Sequence, residues 1–502
     1  MMPITQFAHQ NGKAFVSSLS KDEQKSLGQF MTPPPIASFM AQRAITDIAS
    51  DVVSILEPSA GAGMLAAATV QELLKREERP SRIELTLFEV DARLKPYLRR
   101  LADRLRRAAK DAGVILSCHI VIGDFLLSAL ALSARPQFDI CIANPPYFKL
   151  NKTDPRAKAH AYAVHGQPNI YGLFQAACAS LIKPTGRWCF ITPRSWLNGS
   201  YFAAVRRHLL HYLQIDAMHL FESRQAHFYD DSILQEAVIA WATAQPLEAR
   251  EIAFSTSEGV SDLPDAELFA IPTTDVIAND DQMTIAIPVA AGANHAGSGF
   301  EEWHDTLATL GLKVSTGPVV PFRAKEFILE SFARGSVPLL WMQHVKHTGI
   351  RWPIQKKREH ILSTAASAWM LLRNTNYVVM RRFSPKEDVR RVTAAPYLAG
   401  SLPGEFLGLE NHLNYIHRPG AELTRSETIG LAAFLNSTMV DAHFRSVSGS
   451  TQVNATELRK LRLPPLESLI AIGNMLPETS TLAEADHAVT AVLQARHAIA
   501  AT

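Results

Sequence analysis

The residues with the clearest chemistry form the tetrapeptide Asn144-Pro145-Pro146-Tyr147, which follows the apolar run 138–143. Such a run predicts a buried strand, and the two prolines end it abruptly. The side-chain oxygen of Asn144 and the carbonyl oxygen of Pro145 can each accept a hydrogen bond from an amino group on a planar substrate. Tyr147 offers a ring on which a base can stack. The tetrapeptide therefore indicates a site for a planar amine, although a strand and a Pro-Pro turn that packs an aromatic residue is the structural alternative.

Three other predicted strands each end in, or are followed by, an acidic residue. Glu57 follows the apolar run 52–56 and could bind an ammonium group, while it would repel phosphate. Glu89 ends the second strand, where a carboxylate is the usual partner of ribose hydroxyls. Asp124 follows the third strand and suits the exocyclic amine of an adenine ring, with Phe125 beside it for packing. For Glu89 taken alone, an exposed strand end is the simpler interpretation.

The turn after the first strand is rich in small residues. Pro58, Ala60 and Gly61 lie in it, and a helical pattern follows. A strand, a small-residue turn and a helix let the backbone pass close to a nucleoside cofactor. The spacing is neither Gly-x-Gly-x-x-Gly nor a Walker motif. Upstream, Thr32 precedes three prolines and can cap a helix while its hydroxyl faces a ligand.

Strands and helices alternate through the first half of the chain. This alternation predicts a mostly parallel, doubly wound α/β sheet, whose ligands bind at the carboxyl ends of the strands. After the fourth strand, the pattern predicts a helix over 170–182, a strand over 186–193, a helix over 201–212, and strands over 215–220 and 236–242. Between the last two strands, Phe228 and Tyr229 lie in a polar loop. An aromatic ring there could stack on an extruded base from the side opposite Tyr147.

Length and composition describe an ordinary globular protein. The 502 residues predict two or three domains. We find no run of about 18 apolar residues and no apolar signal region in residues 1–25, so we expect neither a membrane span nor secretion, and a cytoplasmic location. The four cysteines lie in apolar surroundings without a Cys-x-x-Cys pair, which predicts buried thiols and no metal site.

Charge is distributed unevenly along the chain. Residues 247–310 carry 12 acidic side chains and one basic side chain, and residues 321–465 carry 20 basic and 11 acidic side chains. The later segment therefore suits a polyanion, with a solvated surface as the alternative. We predict a catalytic domain over 1–245, an acidic connecting region over 246–310 that can contain some strands, and a nucleic-acid-binding domain over 311–502. Candidate DNA-binding side chains, of the types that read base edges and hold phosphates, are Arg381, Arg382, Gln452 and Asn454.

Taken in this order, the motifs resemble those of the gamma-class amino-methyltransferases of DNA, the TaqI-like group. The closest likeness is to the PstI/BsuBI-like adenine methylases of restriction-modification systems, because the chain length and the loop 448–454 also fit. The likeness covers roughly residues 20–465. It implies a Rossmann-like methyltransferase domain that uses S-adenosylmethionine, followed by an α+β target-recognition domain.

The resemblance also implies roles for individual residues. Asn144, Pro145, Pro146 and Tyr147 match the catalytic motif, and Phe228 matches the second stacking aromatic better than Tyr229 does. Other residues match the cofactor-binding positions: Thr32, Glu57 and Ala60 for the methionine part, Glu89 for the ribose, and Asp124 and Phe125 for the adenine. Further cofactor-binding candidates are Pro58, Gly61, Val90 and Asn144.

The implied function is N6-adenine methylation of duplex DNA by base flipping, as the modification enzyme of a type II system. We expect the restriction endonuclease to be a separate protein that is not bound. Alternatives are a methyltransferase of RNA or of a protein glutamine, and a non-catalytic DNA-binding module. A fused nuclease lacks support, since the only Glu-x-Lys, at 23–25, precedes the only Pro-Asp pair, at 264–265.

Overall fold

A computed structural model describes residues 2–19, 32–132, 136–221, 237–244, 251–287, 303–355, 358–384, 388–447 and 455–500. The chain divides into two compact units, Met1–Ala286 and Ile287–Thr502. In the described part of the chain, no helix combines the length and the apolar character that crossing a membrane would require.

The first unit alternates helices and strands. Its helices are α1 (Ile4–Val16), α2 (Pro34–Ala44), α3 (Met64–Lys75), α4 (Lys95–Asp111), α5 (Phe125–Leu132), α6 (Pro155–Ala159), α7 (Ile170–Ala179), α8 (Ala203–Tyr212) and α9 (Thr273–Val276). Its strands are β1 (Val52–Glu57), β2 (Arg82–Glu89), β3 (Ile115–Ile122), β4 (Phe138–Ala143), β5 (Ile182–Pro193), β6 (Gln214–Phe221), β7 (Ala237–Thr243), β8 (Glu251–Ser257) and β9 (Phe269–Pro272).

These strands form one sheet in the order β3-β2-β1-β4-β5-β7-β6-β8-β9. Strands β1 to β5 are parallel, and β7 lies antiparallel between β5 and β6. All residues of β4 and β7 are buried, as expected for strands covered on both faces. The predicted doubly wound α/β architecture is confirmed. The strand order reverses between β1 and β4, which creates a crevice at their carboxyl ends.

Two helical layers cover the sheet. Helices α1 to α4 share one hydrophobic core with the sheet, to which β1 contributes Val53 and Ile55. On the other side, every residue of α7 is buried, and this helix contacts α5, α8 and β5. Phe125 of α5 and Phe174 of α7 stack with ring centroids 5.5 Å apart. The two layers hold the carboxyl ends of β1 to β4 in fixed positions.

The structure differs from the expected connecting region over 246–310. Strands β8 and β9 extend the sheet of the first unit, with β8 parallel to β6 and β9 antiparallel to β8. Ile252 and Phe254 of β8 are fully buried. The sequence allowed for strands in this region, but the acidic composition did not indicate that they join the sheet of the first unit.

The second unit combines short strands with a carboxyl-terminal set of helices. The strands are β10 (Lys313–Thr316), β11 (Ile328–Leu329), β12 (Ser336–Leu340), β13 (Val345–Lys346), β14 (Gly349–Ile350), β15 (His360–Leu362), β16 (Leu371–Arg373), β17 (Tyr377–Arg381), β18 (Ala394–Tyr397), β19 (Phe406–Leu409) and β20 (Leu413–His417). The helices are α10 (Arg425–Leu435), α11 (Thr438–Val447), α12 (Ala455–Lys460), α13 (Leu466–Met475) and α14 (Leu482–Ala500).

The predicted α+β character of this unit is confirmed. A four-stranded antiparallel sheet has the order β10-β20-β17-β18, a five-stranded sheet has the order β11-β15-β12-β19-β16, and β13 and β14 form a hairpin. Helices α10 and α13 approach closely at Gly430 and Gly473. A Cβ atom on Gly430 would lie 1.8 Å from the carbonyl oxygen of Leu469, so only glycine permits this packing.

Candidate active site

A cavity of about 270 Å³ lies at the carboxyl ends of β1 to β4. Eleven of the predicted site residues line it: Thr32, Glu57, Pro58, Ala60, Gly61, Glu89, Val90, Asp124, Phe125, Asn144 and Pro146. Pro145 and Tyr147 belong to the same loop but are not among the described residues that line the cavity. The structure therefore brings together residues that are separated by up to 114 positions in the sequence.

The turn after β1 brings backbone close to the ends of β1 and β2. Gly61 and Gly63 adopt φ angles of 54° and 81°, a region that favours glycine. The amide of Ala60 donates to the carbonyl oxygen of Phe88 at 2.8 Å, and the amide of Gly61 donates to Oε2 of Glu89 at 2.7 Å. The turn is thus fastened to β2 and forms one wall of the cavity.

Glu57 is a buried carboxylate at the start of α3. Its Oε2 accepts a hydrogen bond from the amide of Ala66 at 2.9 Å. Burial raises the pKa of Glu57 well above its ordinary value, and the nearby Glu89 raises it further. Backbone amides at the start of α3 partly offset this shift. Glu57 therefore has a structural role in α3 in addition to facing the cavity.

Glu89 is held by two backbone amides. Oε2 accepts from Gly61, and Oε1 accepts from the amide of Asp91 at 2.9 Å. Burial is the main cause of its raised pKa, which the two amide donors counteract. Val90, next in sequence, is 63% exposed and lies at the rim of the cavity. The carboxylate orientation is therefore fixed before any ligand binds.

Asp124 and Phe125 form the other end of the cavity. Oδ1 of Asp124 accepts from the amide of Leu127 at 3.3 Å at the start of α5. The buried ring of Phe125 packs edge-on against Phe88, with centroids 5.2 Å apart, and stacks on Phe174. The cavity at this end combines a carboxylate with aromatic surface, as predicted for an adenine ring.

Sequence reasoning missed Arg156, which also lines the cavity. Its guanidinium lies 3.8 Å from Oδ2 of Asp124 and 2.7 Å from Oδ2 of Asp154. It also lies 5.8 Å from the ring centroid of Phe148. Arg156 occurs in a short helix whose sequence carries no catalytic motif, so only the folded loop reveals that it faces the cavity. Other residues that line the cavity and were not predicted are Ser59, Ala62, Met64, Leu65, Gly123, Ile170 and Phe174.

Asn144 is held from several directions. Its Nδ2 donates to Oγ1 of Thr32 at 3.0 Å, and its carbonyl oxygen accepts from the hydroxyl of Ser59 at 3.2 Å. The hydroxyl of Tyr147 donates to Oδ1 of Asn144 at 2.6 Å and lies 3.1 Å from the carbonyl oxygen of Ile191. These bonds fix the plane of the Asn144 amide and turn its Oδ1 toward Tyr147.

The hydroxyl of Tyr147 has a role that the sequence did not suggest. The residue was predicted for its ring face, yet its hydroxyl contacts the predicted catalytic amide. Burial raises the pKa of Tyr147, so the hydroxyl remains a hydrogen-bond donor at neutral pH. The ring of Tyr171 packs edge-on against that of Tyr147, with centroids 6.0 Å apart.

Of the residues predicted to bind DNA or to stack on the target base outside the cavity loop, two lie among the described residues. Arg381, at the end of β17, donates from Nε to the carbonyl oxygen of Val345 at 2.8 Å. The guanidinium of Arg382 lies 5.9 Å from the ring centroid of Phe383. The other predicted residues, Phe228, Tyr229, Gln452 and Asn454, lie outside the described residues. Among the residues that are described, no cluster of three or more His, Cys, Asp or Glu could hold a metal ion.

Comparisons with known proteins are consistent with this geometry. A family model for the Eco57I restriction-modification methylase matches residues 106–228. The chain is 35% identical over 481 residues to the type II methyltransferase M.BsuBI of Bacillus subtilis, and this alignment covers 92% of each chain. It is 31% identical over 468 residues to the type II methyltransferase M.PstI of Providencia stuartii, covering 92% of this chain and 91% of the relative.

A solved structure supports the fold over nearly the whole chain. This is the type IIL restriction-modification enzyme MmeI in complex with DNA, at a TM-score of 0.54 and 14% sequence identity. The match covers 97% of this chain and 75% of the other. Because the identity is low, this likeness concerns the arrangement of helices and strands.

Proposed function

This chain belongs to the family of type II methyltransferases of restriction-modification systems, and we propose that it methylates the N6 amino group of adenine in duplex DNA, with S-adenosylmethionine as the donor. The enzyme class, a DNA methyltransferase that acts as a modification enzyme, follows from the family. The target atom, the donor and the residues that act are our proposal.

The observation that carries the proposal is the placement of Asn144. It lies at the end of β4, in the wall of a cavity whose carboxylates lie at the ends of β1, β2 and β3. Its Oδ1 is held by Tyr147, and its Nδ2 is held by Thr32. A fixed amide oxygen at the edge of a nucleoside-sized cavity suits transfer to an amino group from a nucleoside cofactor.

The cavity residues fit S-adenosylmethionine. Gly61 has a positive φ angle and lines the cavity. The backbone of the turn after β1 therefore lies where a bound cofactor would contact it. The two oxygens of Glu89 each have a lone pair beyond those used by the backbone amides, which suits a pair of ribose hydroxyls. Asp124 and Phe125 suit the adenine ring. We assign the methionine part to the wall formed by Thr32, Glu57, Pro58, Ala60 and Gly61.

When bound, S-adenosylmethionine supplies an electrophilic methyl group on a sulfonium. The chain's own task is to position the attacking nitrogen. We assign Oδ1 of Asn144 and the carbonyl oxygen of Pro145 as acceptors for the two hydrogens of the amino group, which directs the nitrogen lone pair away from them. As the nitrogen gains positive charge, both acceptors bind its hydrogens more strongly, and this lowers the barrier.

The target base must leave the duplex to reach Asn144. Base flipping requires a surface that replaces lost stacking. We assign that surface to the ring of Tyr147 on one side and to Phe228 on the other, with Tyr229 as the less favoured choice. Pro146 lines the cavity, and we assign it to the boundary between the cofactor and the base.

The test is methyl transfer from labelled S-adenosylmethionine to unmethylated duplex DNA, followed by nucleoside digestion and mass spectrometry. We expect N6-methyladenine in DNA, and sequencing of the modified positions then gives the recognition site. RNA and a glutamine-containing protein substrate run in parallel. Label only in RNA, only in protein, or only on cytosine would contradict the proposed target.

We also propose two relations of this enzyme to other cell components. Duplex DNA is its macromolecular substrate, and the cognate restriction endonuclease acts as a separate protein that does not need to bind it. The enzyme would act in the cytoplasm, where bacterial DNA lies. Size-exclusion chromatography of an extract from a natural host should separate the methyltransferase from the cleavage activity; co-elution at a common larger size would contradict the independence of the two.

A further inference from the structure

A groove of about 500 Å³ in the second unit contains three basic side chains, Lys346, Arg351 and Arg381. Thr348 and Thr481 add two hydroxyl groups to its lining. We call this surface the basic groove. No acidic residue is found among the described residues that line it. Its three basic residues belong to the segment 321–465, whose excess of basic side chains was evident in the sequence.

The basic groove is built on a rigid hairpin. Strands β13 and β14 pair Val345 with Ile350 and Lys346 with Gly349. Lys346 is therefore the last residue of β13 before the turn. Gly349 has a φ angle of 122°, and a Cβ atom there would lie 3.2 Å from Cγ2 of Thr479. The sharp turn therefore depends on glycine. Nε of Arg381 donates to the carbonyl oxygen of Val345 at 2.8 Å, which joins this arginine to the hairpin.

A second contact anchors the turn to β18. Nδ1 of His347 lies 3.1 Å from Oδ1 of Asn436, and that oxygen also accepts from the amide of Ala394 at 3.0 Å. Nδ2 of Asn436 donates to the carbonyl oxygen of Ala394 at 2.7 Å. Burial lowers the pKa of His347, so it serves as a neutral anchor. The backbone of the turn that carries Lys346 is thus held in place before an anion binds.

The positive charge of the groove comes from its side chains. The start of α14 is already capped, because Oε2 of Glu484 accepts from the amide of Thr481 at 2.7 Å and Oγ1 of Thr481 accepts from the amide of Glu484. Asp486, on the next turn, pairs with Arg390 at 2.7 Å. These neighbouring carboxylates are engaged in bonds of their own. Lys346 and Arg351 are both exposed residues.

We propose that the basic groove binds a phosphate-bearing stretch of the DNA backbone. The identity of the polyanion rests on the proposed function, whereas the affinity for an anion rests on the groove itself. Arginine and lysine contacts to phosphates fix the register of a protein on the duplex but do not read sequence. The groove therefore contributes affinity and orientation, and base recognition depends on other residues of the second unit.

The test uses the full-length enzyme and a double variant, Lys346→Ala with Arg351→Ala. The matched control variant is Arg334→Ala with Arg373→Ala, since both arginines are exposed in the same unit and neither lines the groove. Fluorescence anisotropy measures the dissociation constant for a duplex that contains the mapped recognition site, and for a scrambled duplex, between about 50 and 200 mM salt.

We expect the groove variant to bind both duplexes about tenfold more weakly at moderate salt. The slope of log K against log salt should fall by about 2, because each lost phosphate contact removes about 0.9 from it. Preference for the recognition site and cofactor affinity should stay the same. The control variant should retain the wild-type slope.

An unchanged slope in the groove variant, or an equal loss in the control variant, would overturn the proposal. A loss confined to the recognition site would also overturn it, because the groove would then read bases. Failure of the proposed function would be seen separately, as wild-type enzyme that yields no N6-methyladenine in DNA. Binding of either duplex by wild-type enzyme would still allow the slope to be measured.

Discussion

The cavity of the first unit and the basic groove of the second unit use polar groups in opposite ways. In the cavity, Glu57 and Glu89 are buried, and backbone amides fix their oxygens. In the groove, Lys346 and Arg351 are exposed on a hairpin. The cavity contains its own hydrogen-bond partners, while the groove presents charge to an external partner.

The two regions are therefore sensitive to different changes. Hydrogen bonds in a buried site act through geometry, so loss of one atom has a large effect that salt hardly changes. Exposed charges act over longer distances, and mobile ions screen them. We therefore expect single-atom changes in the cavity to affect catalysis, cofactor binding or stability, and charge changes in the groove to affect the salt dependence of DNA binding.

The largest effect should come from Asn144→Ala. Removal of the fixed amide oxygen should lower kcat on the order of 10³-fold, because the amino group loses an acceptor that strengthens in the transition state. Cofactor affinity should change little. Single-turnover methyl transfer and isothermal titration calorimetry measure the two quantities. Asn151→Ala is the control, since Asn151 lies in the same loop and its Oδ1 accepts from the amide of Thr153 at 3.1 Å. Unchanged turnover of Asn144→Ala would rule out the assigned role.

A smaller effect should follow from Glu89→Gln. Glutamine has one acceptor oxygen for the two backbone amides of Gly61 and Asp91, so an amide donor would face another donor. The cost of about 1–3 kcal/mol should lower thermal stability and weaken cofactor binding by about 10- to 100-fold. Differential scanning calorimetry and cofactor titration check this prediction. Glu84→Gln, at an exposed position of the same strand, should match wild type. Wild-type cofactor affinity in Glu89→Gln would show that this carboxylate does not contact the ribose.

Tyr147→Phe separates the ring from the hydroxyl. The ring surface for base stacking is retained, while the 2.6 Å bond to Asn144 is lost. A bond of about 1 kcal/mol predicts a roughly fivefold lower kcat, with little change in KM for DNA. Steady-state kinetics provide the measurement. Tyr162→Phe is the control for loss of a tyrosine hydroxyl, since that hydroxyl lies 2.9 Å from Nδ1 of His160 and Tyr162 is not among the described residues that line the cavity. A large rise in KM with unchanged kcat would instead assign the hydroxyl to DNA binding.

The smallest effect concerns Glu57 and pH. Its pKa is raised in the folded state, so the folded protein binds more protons than the unfolded chain at pH values between the unfolded pKa and the folded pKa. Stability contributed by this group should therefore be highest at low pH and fall as pH rises from about 4.5 through the folded pKa. Urea unfolding between about pH 5 and 8 should show a steeper decline for wild type than for Glu57→Gln. Parallel curves for the two proteins would contradict the raised pKa.

The sequence was sufficient to predict the part of the site that lies at strand ends. Glu57, Glu89, Asp124 and Asn144 follow apolar runs, and parallel strands bring such ends to one edge of a sheet. The architecture, the family and the enzyme class predicted from these motifs are confirmed. The roles of the individual residues stay predictions.

Features that depend on tertiary contacts could not be predicted. Arg156 enters the cavity because a loop folds back, and local sequence does not encode that path. The strands β8 and β9 lie in the region that was predicted to connect the two domains. Composition did not indicate that β8 pairs with β6 and β9 with β8, which adds both strands to the first sheet. In the second unit, strands of two or three residues are too short for alternation to be detected.

The position of β7 has a consequence for truncated forms of the protein. This strand provides the pairing partner of β5 on one edge and of β6 on the other. A chain that ended at residue 221 would leave two long apolar strands with open backbone donors and acceptors. Such unprotected edges recruit other chains and promote aggregation. A soluble catalytic fragment must therefore extend past residue 243, and a nascent chain on the ribosome cannot complete its central sheet until that strand has emerged.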